Sequence, residues 1–324
     1  MEKIDVKDKK IMYQLDLDSR QSFRSIGRKV GLSKDIVASR VKKLQEKKIL
    51  RRFYTRFDNS KLGLSALRLY FKYQYMTPEI KKEIIDHFVN CEYTTLVASI
   101  EGSYDLVVLL LVKNLNHIFS FWRKTLIEYG DYFSDRMFSL YEGETVYRKS
   151  FLLDEKDDRT MLSTIGVEGE SEMDDFDFKI LKLLSSDSRI PTIEIAKKLN
   201  STVSRINNRI KKLMKSGIIC GYKTLIDFNK LGYKWFKVDI FLREYSKIQQ
   251  IIQYIEKNPY LHTLDTTLGY ADLELEFLLK DVDQLHQIIE DISTKFHKNI
   301  RNYSYFRLVE SHKYLNLDME KIER

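Results

Sequence analysis

Cysteine is scarce in this chain of 324 residues: Cys91 and Cys220 stand far apart with no partner spacing. A disulfide scaffold and a cysteine-based zinc site are therefore excluded, and a reducing, cytoplasmic setting is expected. Three prolines and 12 glycines speak against collagen-like, linker-rich or many-turned β-sandwich designs. Apolar runs such as Leu106 to Val112 fall far short of the roughly 20 residues a membrane span needs, so no membrane is expected. The first residues carry charge (Glu2, Lys3, Asp5), unlike a signal peptide. Hydrophobic residues make up 43% and charged residues 31%, enough apolar material for two to four cores. A net charge of +8 permits a polyanionic partner without requiring one.

What the chain does have is a second copy of itself. Asp18-Ser19-Arg20 returns as Asp187-Ser188-Arg189, Arg40-Val41-Lys42-Lys43-Leu44 as Arg209-Ile210-Lys211-Lys212-Leu213, and Lys61-Leu62-Gly63 as Lys230-Leu231-Gly232. The three pairs share one offset. Further on, Gly102-Ser103-Tyr104-Asp105-Leu106 matches Gly269-Tyr270-Ala271-Asp272-Leu273. The period is far too long for a solenoid, so the chain reads as two copies of a two-part module. Charge divides each copy alike. Residues 1–63 are net +10 and residues 172–232 net +5, whereas 64–149 and 233–324 are net −1 and −2. Residues 150–171 are net −4, and an acidic, aperiodic linker is expected over 153–172. The expected domains are 1–63, 64–152, 173–232 and 233–324.

The basic parts read as three helices each. Apolar residues recur at helical spacing from Asp5 to Leu17 and from Ser22 to Val30, where Gly31 suits a left-handed end. Ser33 is a good N-cap for a third helix whose stripe is Val37, Val41 and Leu44. In the second copy Asn200 takes the turn, Thr202 the cap, and Ile206, Ile210 and Leu213 the stripe. Two short helices joined by a tight turn, the second amphipathic and basic, describe a helix-turn-helix. With the stripe buried, the opposite side can enter a major groove. The reading candidates are Ser33, Lys34, Asp35, Ala38, Ser39, Arg40 and Lys42, then Thr202, Val203, Ser204, Arg205, Asn207, Asn208, Arg209 and Lys211. Arginine can pair bidentately with guanine and asparagine with adenine. Lys29, Lys43, Arg51 and Lys212 are among those suited to phosphates. Because the two faces differ, one chain is expected to favour an asymmetric stretch of double-stranded DNA. The blander alternative is a lysine-rich module that docks proteins and never touches nucleic acid.

The second parts each spell strand, helix, two strands, helix, strand, the ferredoxin-like βαββαβ order. The fold class is thus α+β, two repeats of a winged helix-turn-helix plus a ferredoxin-like domain. Two helices cover one face of each sheet. The other face needs a partner, either the sister copy or another chain.

The combination resembles the leucine-responsive regulator/AsnC family. The resemblance rests on Ser33, Val37, Arg40-Val41 and Leu44, on Thr202, Ile206, Arg209-Ile210 and Leu213, and on Gly217-Ile218-Ile219 with Gly221-Tyr222. Leu62-Gly63, Leu231-Gly232, and the turns Gly102 to Leu106 and Gly269 to Leu273 complete it. It implies a transcription regulator whose effector domains form homodimers or higher homo-oligomers, often with an amino acid bound near that turn. By position, Gly102, Asp105, Thr266, Thr267, Gly269 and Asp272 would border such a site, although Gly and Asp also simply form turns. Most family members carry one module per chain. Copy one also has Lys48 and Arg51 where the second copy carries glycines after its third helix, which puts that hairpin in question.

No phosphate loop, dinucleotide fingerprint or nucleophile elbow is present, and the six histidines have no metal-ligand spacing. The chain is therefore expected to be no enzyme and to need no cofactor. The rival is a sirohaem decarboxylase, which resembles two such modules fused or paired. That reading calls for histidine and arginine beside a tetrapyrrole pocket near the strand after the helix-turn-helix. Gly221-Tyr222-Lys223-Thr224 and Tyr233-Lys234-Trp235-Phe236 supply no histidine there.

Overall fold

The computed structural model describes residues 4–153, 161–166 and 172–314. The first copy opens with α1 (Val6–Leu17), α2 (Phe23–Val30) and α3 (Lys34–Glu46). Asp5 and Asp8 form a capping box at the start of α1, and Ser33 caps α3 by accepting from the Ile36 amide. Gly31 ends α2 at φ +69°. The strand β1 (Leu50–Phe57) follows, then β2 (Ser65–Tyr73), α4 (Pro78–Asn90), β3 (Thr94–Gly102), β4 (Leu106–Val112), α5 (Leu115–Tyr129) and β5 (Phe133–Tyr147). Most of the acidic linker lies outside the described residues. Its stretch Met161–Ile165 is not an open tether, however: it forms β6 and pairs antiparallel with β5.

The second copy repeats the plan with α6 (Asp175–Ser186), α7 (Thr192–Lys198), α8 (Val203–Lys215), β7 (Ile219–Ile226), β8 (Lys234–Leu242), α9 (Ile248–Ile255), β9 (Leu261–Leu268), β10 (Leu273–Leu279), α10 (Val282–Lys295) and β11 (Ile300–Tyr314). Asn200 takes φ +47°, the left-handed turn that Gly31 makes in copy one. Thr202 caps α8. The hairpin in question survives in copy one because Lys48 itself adopts φ +55°, matching Gly217 at +76°. In the common offset Gly221 corresponds to Arg52 rather than Arg51, and Arg51 stands at an irregularity in the β1–β7 register.

The copies are joined twice. First, β1 and β7 form an antiparallel two-stranded ribbon. Tyr54 pairs with Lys223, its own counterpart under the repeat offset, so an approximate two-fold axis passes between them. Each helical core is completed across this axis. Ile226, Phe228 and Leu231 pack with Ile11, Met12 and Leu15, while Phe57, Leu62 and Leu64 pack with Ile180, Leu181 and Leu184. Second, the ferredoxin-like sheets fuse. The two 15-residue strands each serve both copies: β5 pairs with its own β2 and then with β9, and β11 with its own β8 and then with β3. The order β2-β4-β3-β11-β8-β10-β9-β5, closed by β2–β5, makes an eight-stranded ring with β6 at its rim. The partner that the open sheet face requires is thus the chain's own second copy. No described helix is long and apolar enough to cross a membrane.

Candidate nucleic-acid interface and central cavity

The stripes of α3 and α8 are buried as the spacing predicts: Val37, Val41 and Leu44, and Ile206, Ile210 and Leu213, are at most 8% exposed. Lys34, Ser39, Lys42 and Lys43 are exposed on α3, as are Ser204, Arg205, Asn207, Asn208 and Lys211 on α8. Lys42 lies 3.9 Å from Glu46, one turn along the same helix. Arg205 is not free-standing, since its guanidinium lies over the Phe176 ring, 4.3 Å from the centroid.

Five of the candidates have structural employment. Ser33 and Thr202 spend their hydroxyls accepting from the Ile36 and Arg205 amides. Arg40 binds Asp5 and Asp8 at 2.6 and 2.8 Å, and Arg209 binds Asp174 and Asp177 at 2.6 and 3.2 Å. Both arginines therefore clamp the third helix onto the start of the first and hold that carboxylate pair. Their positions lie beside the buried stripe, and both side chains remain partly exposed, at 29% and 26%. Arg51, expected at phosphates, bonds Asp227 at 2.5 Å.

The heads touch through the duplicated Asp-Ser-Arg motif. Ser19 Oγ and Ser188 Oγ are 2.9 Å apart, Arg20 donates to the Ser188 carbonyl at 2.5 Å, and Arg189 donates to the Ser19 carbonyl. The sequence shows this motif only as a repeat marker. Its role at the axis needs the third dimension.

The turn residues assigned to an effector are otherwise engaged. Asp105 accepts from the Tyr73 amide at 2.8 Å and meets Lys72 at 3.0 Å, and Asp272 accepts from the Leu242 amide at 2.6 Å. Thr267 donates to the Ala271 carbonyl at 2.7 Å, and Thr266 sits in the β9–β10 ladder. Gly102 and Gly269 hold φ of +141° and +103°, and a Cβ on Gly102 would stand 2.5 Å from the Tyr305 carbonyl oxygen. None of these six residues lines the two cavities that Arg68 and Trp235 border.

Inside the ring lies a charged cluster. Glu274 receives Arg68 at 2.5 Å and Lys237 at 2.6 Å, together with the hydroxyls of Tyr70 and Ser139. Arg68 and Lys237 are counterparts in the two copies, so one carboxylate answers both. Burial pushes the Glu274 carboxyl up, but Lys237 and Arg68 overcome it and bring it down to about 2. The signal that would have found this cluster is a charge in the middle of an apolar strand, as in Leu67-Arg68-Leu69.

Between ribbon and ring is a cavity of about 390 Å³. Tyr54, Arg56 and Lys223 face it from the ribbon, and Arg68, Tyr141 and His262 from the ring. A smaller one of about 170 Å³ adjoins it and shares Arg68, Trp235 and Tyr314. Lys223 is 3% exposed; burial drives its ammonium down to about 7, against the pull of Asp16. His262 reaches the cavity from β9 and packs edge-on to Trp235, with ring centroids 4.9 Å apart. The segments at 221–224 and 233–236 carry no histidine, and the fold brings β9 beneath the ribbon.

Residues 4–45 match the AsnC-type helix-turn-helix domain, and residues 173–219 match the winged helix-turn-helix DNA-binding family. An uncharacterised HTH-type transcriptional regulator of Pyrococcus furiosus is 33% identical over 121 residues, which is 82% of that protein and 37% of this chain. The chain belongs to the leucine-responsive regulator/AsnC family. The regulatory protein AsnC of Haemophilus influenzae is 30% identical over 118 residues, 79% of its length and 36% of this chain. Each of these relatives is thus matched by little more than a third of the chain. The whole architecture has a solved counterpart in the sirohaem decarboxylase NirDL, with a TM-score of 0.66, 14% identity, and coverage of 96% of this chain and 94% of that one. That match overturns the expectation that the chain is no enzyme, because an enzyme is built on the same two-copy fold. At this identity the likeness speaks for the fold alone.

Proposed function

We propose that this AsnC-family chain is a transcription regulator that folds as a complete two-headed DNA reader and binds duplexes of unequal halves. The observation that carries the reading is the joint placement of α3 and α8. Their apolar stripes are buried, their polar sides face solvent, and the heads are locked at the Ser19–Ser188 axis. Lys34, Ser39 and Lys42 on one head stand against Ser204, Asn207, Asn208 and Lys211 on the other, so the base edges they can address differ. Lys43 and Lys212 add sequence-independent attraction to phosphates. A small molecule that shifts the ribbon against the ring would shift the heads, and so the affinity. Binding of random-sequence duplexes, followed across a salt series, tests the reading. A steep loss of affinity with salt is expected. Absence of any retained duplex at low ionic strength would defeat it.

A second reading, catalysis on a sirohaem-like tetrapyrrole, is favoured by one arrangement: His262, Arg56 and Arg68 converge on the cavity of a fold shared with a sirohaem decarboxylase. Arginines would hold the carboxylates and His262 could move a proton. Absorbance of the purified protein with added sirohaem, followed by product analysis, decides it. A bound spectrum with loss of carboxylate supports this reading, and an unchanged spectrum removes it.

A further inference from the structure

We infer that the ring interior carries a pairing code, by which a copy-one sheet accepts a copy-two sheet and rejects a second sheet of its own kind. The strand registers of the two copies correspond residue by residue, so their inner faces can be compared directly. Copy two brings Lys237 and the carboxylates of Asp239, Asp265, Glu274 and Glu276. At the matching acid positions copy one has Tyr70, Ala98, Val107 and Leu109, and Arg68 is the sole charge of this set. The unlike pair joins the two halves of the set. Arg68 crosses to Glu274 at 2.5 Å, to Glu276 at 3.1 Å and to Asp265 at 3.4 Å, while Lys237 holds Glu274 at 2.6 Å. Arg68, Lys237 and Glu274 are all buried. Burial lifts the Asp239 and Asp265 carboxyls, which eases the acid surplus that remains.

Like pairs would fail on both sides. By the two-fold relation, two copy-one sheets would set each Arg68 against Val107 of the other sheet, where Glu274 stands now. Two copy-two sheets would double the carboxylates with only a second Lys237 to answer them. A buried charge without its counter-charge is costly, so each mismatch weakens assembly. The rest of the joint is indifferent to partner. Phe57, Leu62 and Leu64 complete one head as their counterparts Ile226, Leu231 and Tyr233 complete the other, apolar for apolar. At the axis serine meets serine, and Arg20 and Arg189 donate alike. Choice of partner therefore rests on the ring, and it puts one head of each kind into every assembly. The inference concerns assembly and does not depend on the chain's reading DNA.

A protease site inserted within 155–159 lets the folded chain be cut between the copies. The cut protein is unfolded in urea, refolded by dilution and weighed by native mass spectrometry, which separates the unlike pair from both like pairs by mass. The unlike pair should outnumber like pairs by about tenfold or more, whereas indifferent sheets would give the two kinds in equal amounts. Val107→Glu gives copy one the carboxylate it lacks, so pairs of copy-one fragments should rise several-fold. Val107→Gln, of similar size without the charge, should leave them rare. Like pairs as common as unlike ones in the unsubstituted protein, or equal effects of the two Val107 variants, would overturn the inference. The uncut chain guards against fragments that do not refold. Arg68→Met and Glu274→Gln should each lower its melting temperature, and the double variant should fall by clearly less than the sum of the two shifts. Additive shifts would overturn the inference as well.

Discussion

Ser19 and Ser188 stand hydroxyl to hydroxyl at 2.9 Å, each fully buried, each the counterpart of the other in the repeat. A self-pairing contact of this kind fixes the angle between the heads, because the Arg20 and Arg189 donors close it from both sides. Ser188→Phe has no room there. Overpacking of this kind costs about 1–3 kcal/mol. Thermal unfolding should register that loss. A duplex that engages both heads should lose more affinity than a duplex that engages one.

On α8, Asn208 is exposed, whereas Arg205 leans on Phe176. Asn208→Ala should relax preference at one base position by about 1–3 kcal/mol, leaving other positions unchanged. Lys43→Ala should weaken every sequence alike and shallow the salt dependence. Competition binding with single-base variants of the preferred duplex separates the two behaviours. A uniform loss from Asn208→Ala would misplace the reading face.

Lys48 holds a left-handed backbone that its counterpart Gly217 holds without strain. Lys48→Gly should therefore stabilise the protein by about 0.5–1 kcal/mol. Chemical denaturation should show a higher midpoint with an unchanged slope. Gly217→Ala, at φ +76°, should move the midpoint the other way.

Lys223 gives a pH signature. Its ammonium is pulled from 10.5 to about 7 by burial, so the folded chain gives up this proton before the unfolded chain does. Over the window from about 7 to 10.5 the unfolded state binds more protons, and the lysine's contribution to stability rises with pH. Below that window both states are protonated, and the folded one carries the full burial penalty. Lys223→Met should remove this rise and raise stability near neutrality, by an amount on the order of a few kcal/mol. Melting temperatures of both proteins between pH 6.5 and 10 check the sign.

Much of this architecture was legible from local pattern. Helical stripes, caps and the left-handed turns at Gly31 and Asn200 are decided within a few residues, and so the three-helix heads could be read directly. The order of strands and helices along each copy was legible too, since they alternate with clear breaks. What could not be read is decided between distant segments. Arg40 and Arg209 look like groove readers until Asp5, Asp8, Asp174 and Asp177 are seen beneath them. Asp105 and Asp272 look like ligand contacts until the amides of Tyr73 and Leu242 are seen to use them. His262 joins Arg56 and Lys223 only because β9 passes under the ribbon. The exclusion of an enzyme rested on motifs along the chain, whereas the likeness that overturns it lies in the whole two-copy fold.

The most direct test is to let the intact chain select duplexes from a random pool at low and moderate salt. Two unlike half-sites in fixed spacing, one altered by Asn208→Ala and the other by Lys34→Ala, are the predicted result. A palindrome of identical halves, or a pool that never enriches, would contradict a reader with two different heads.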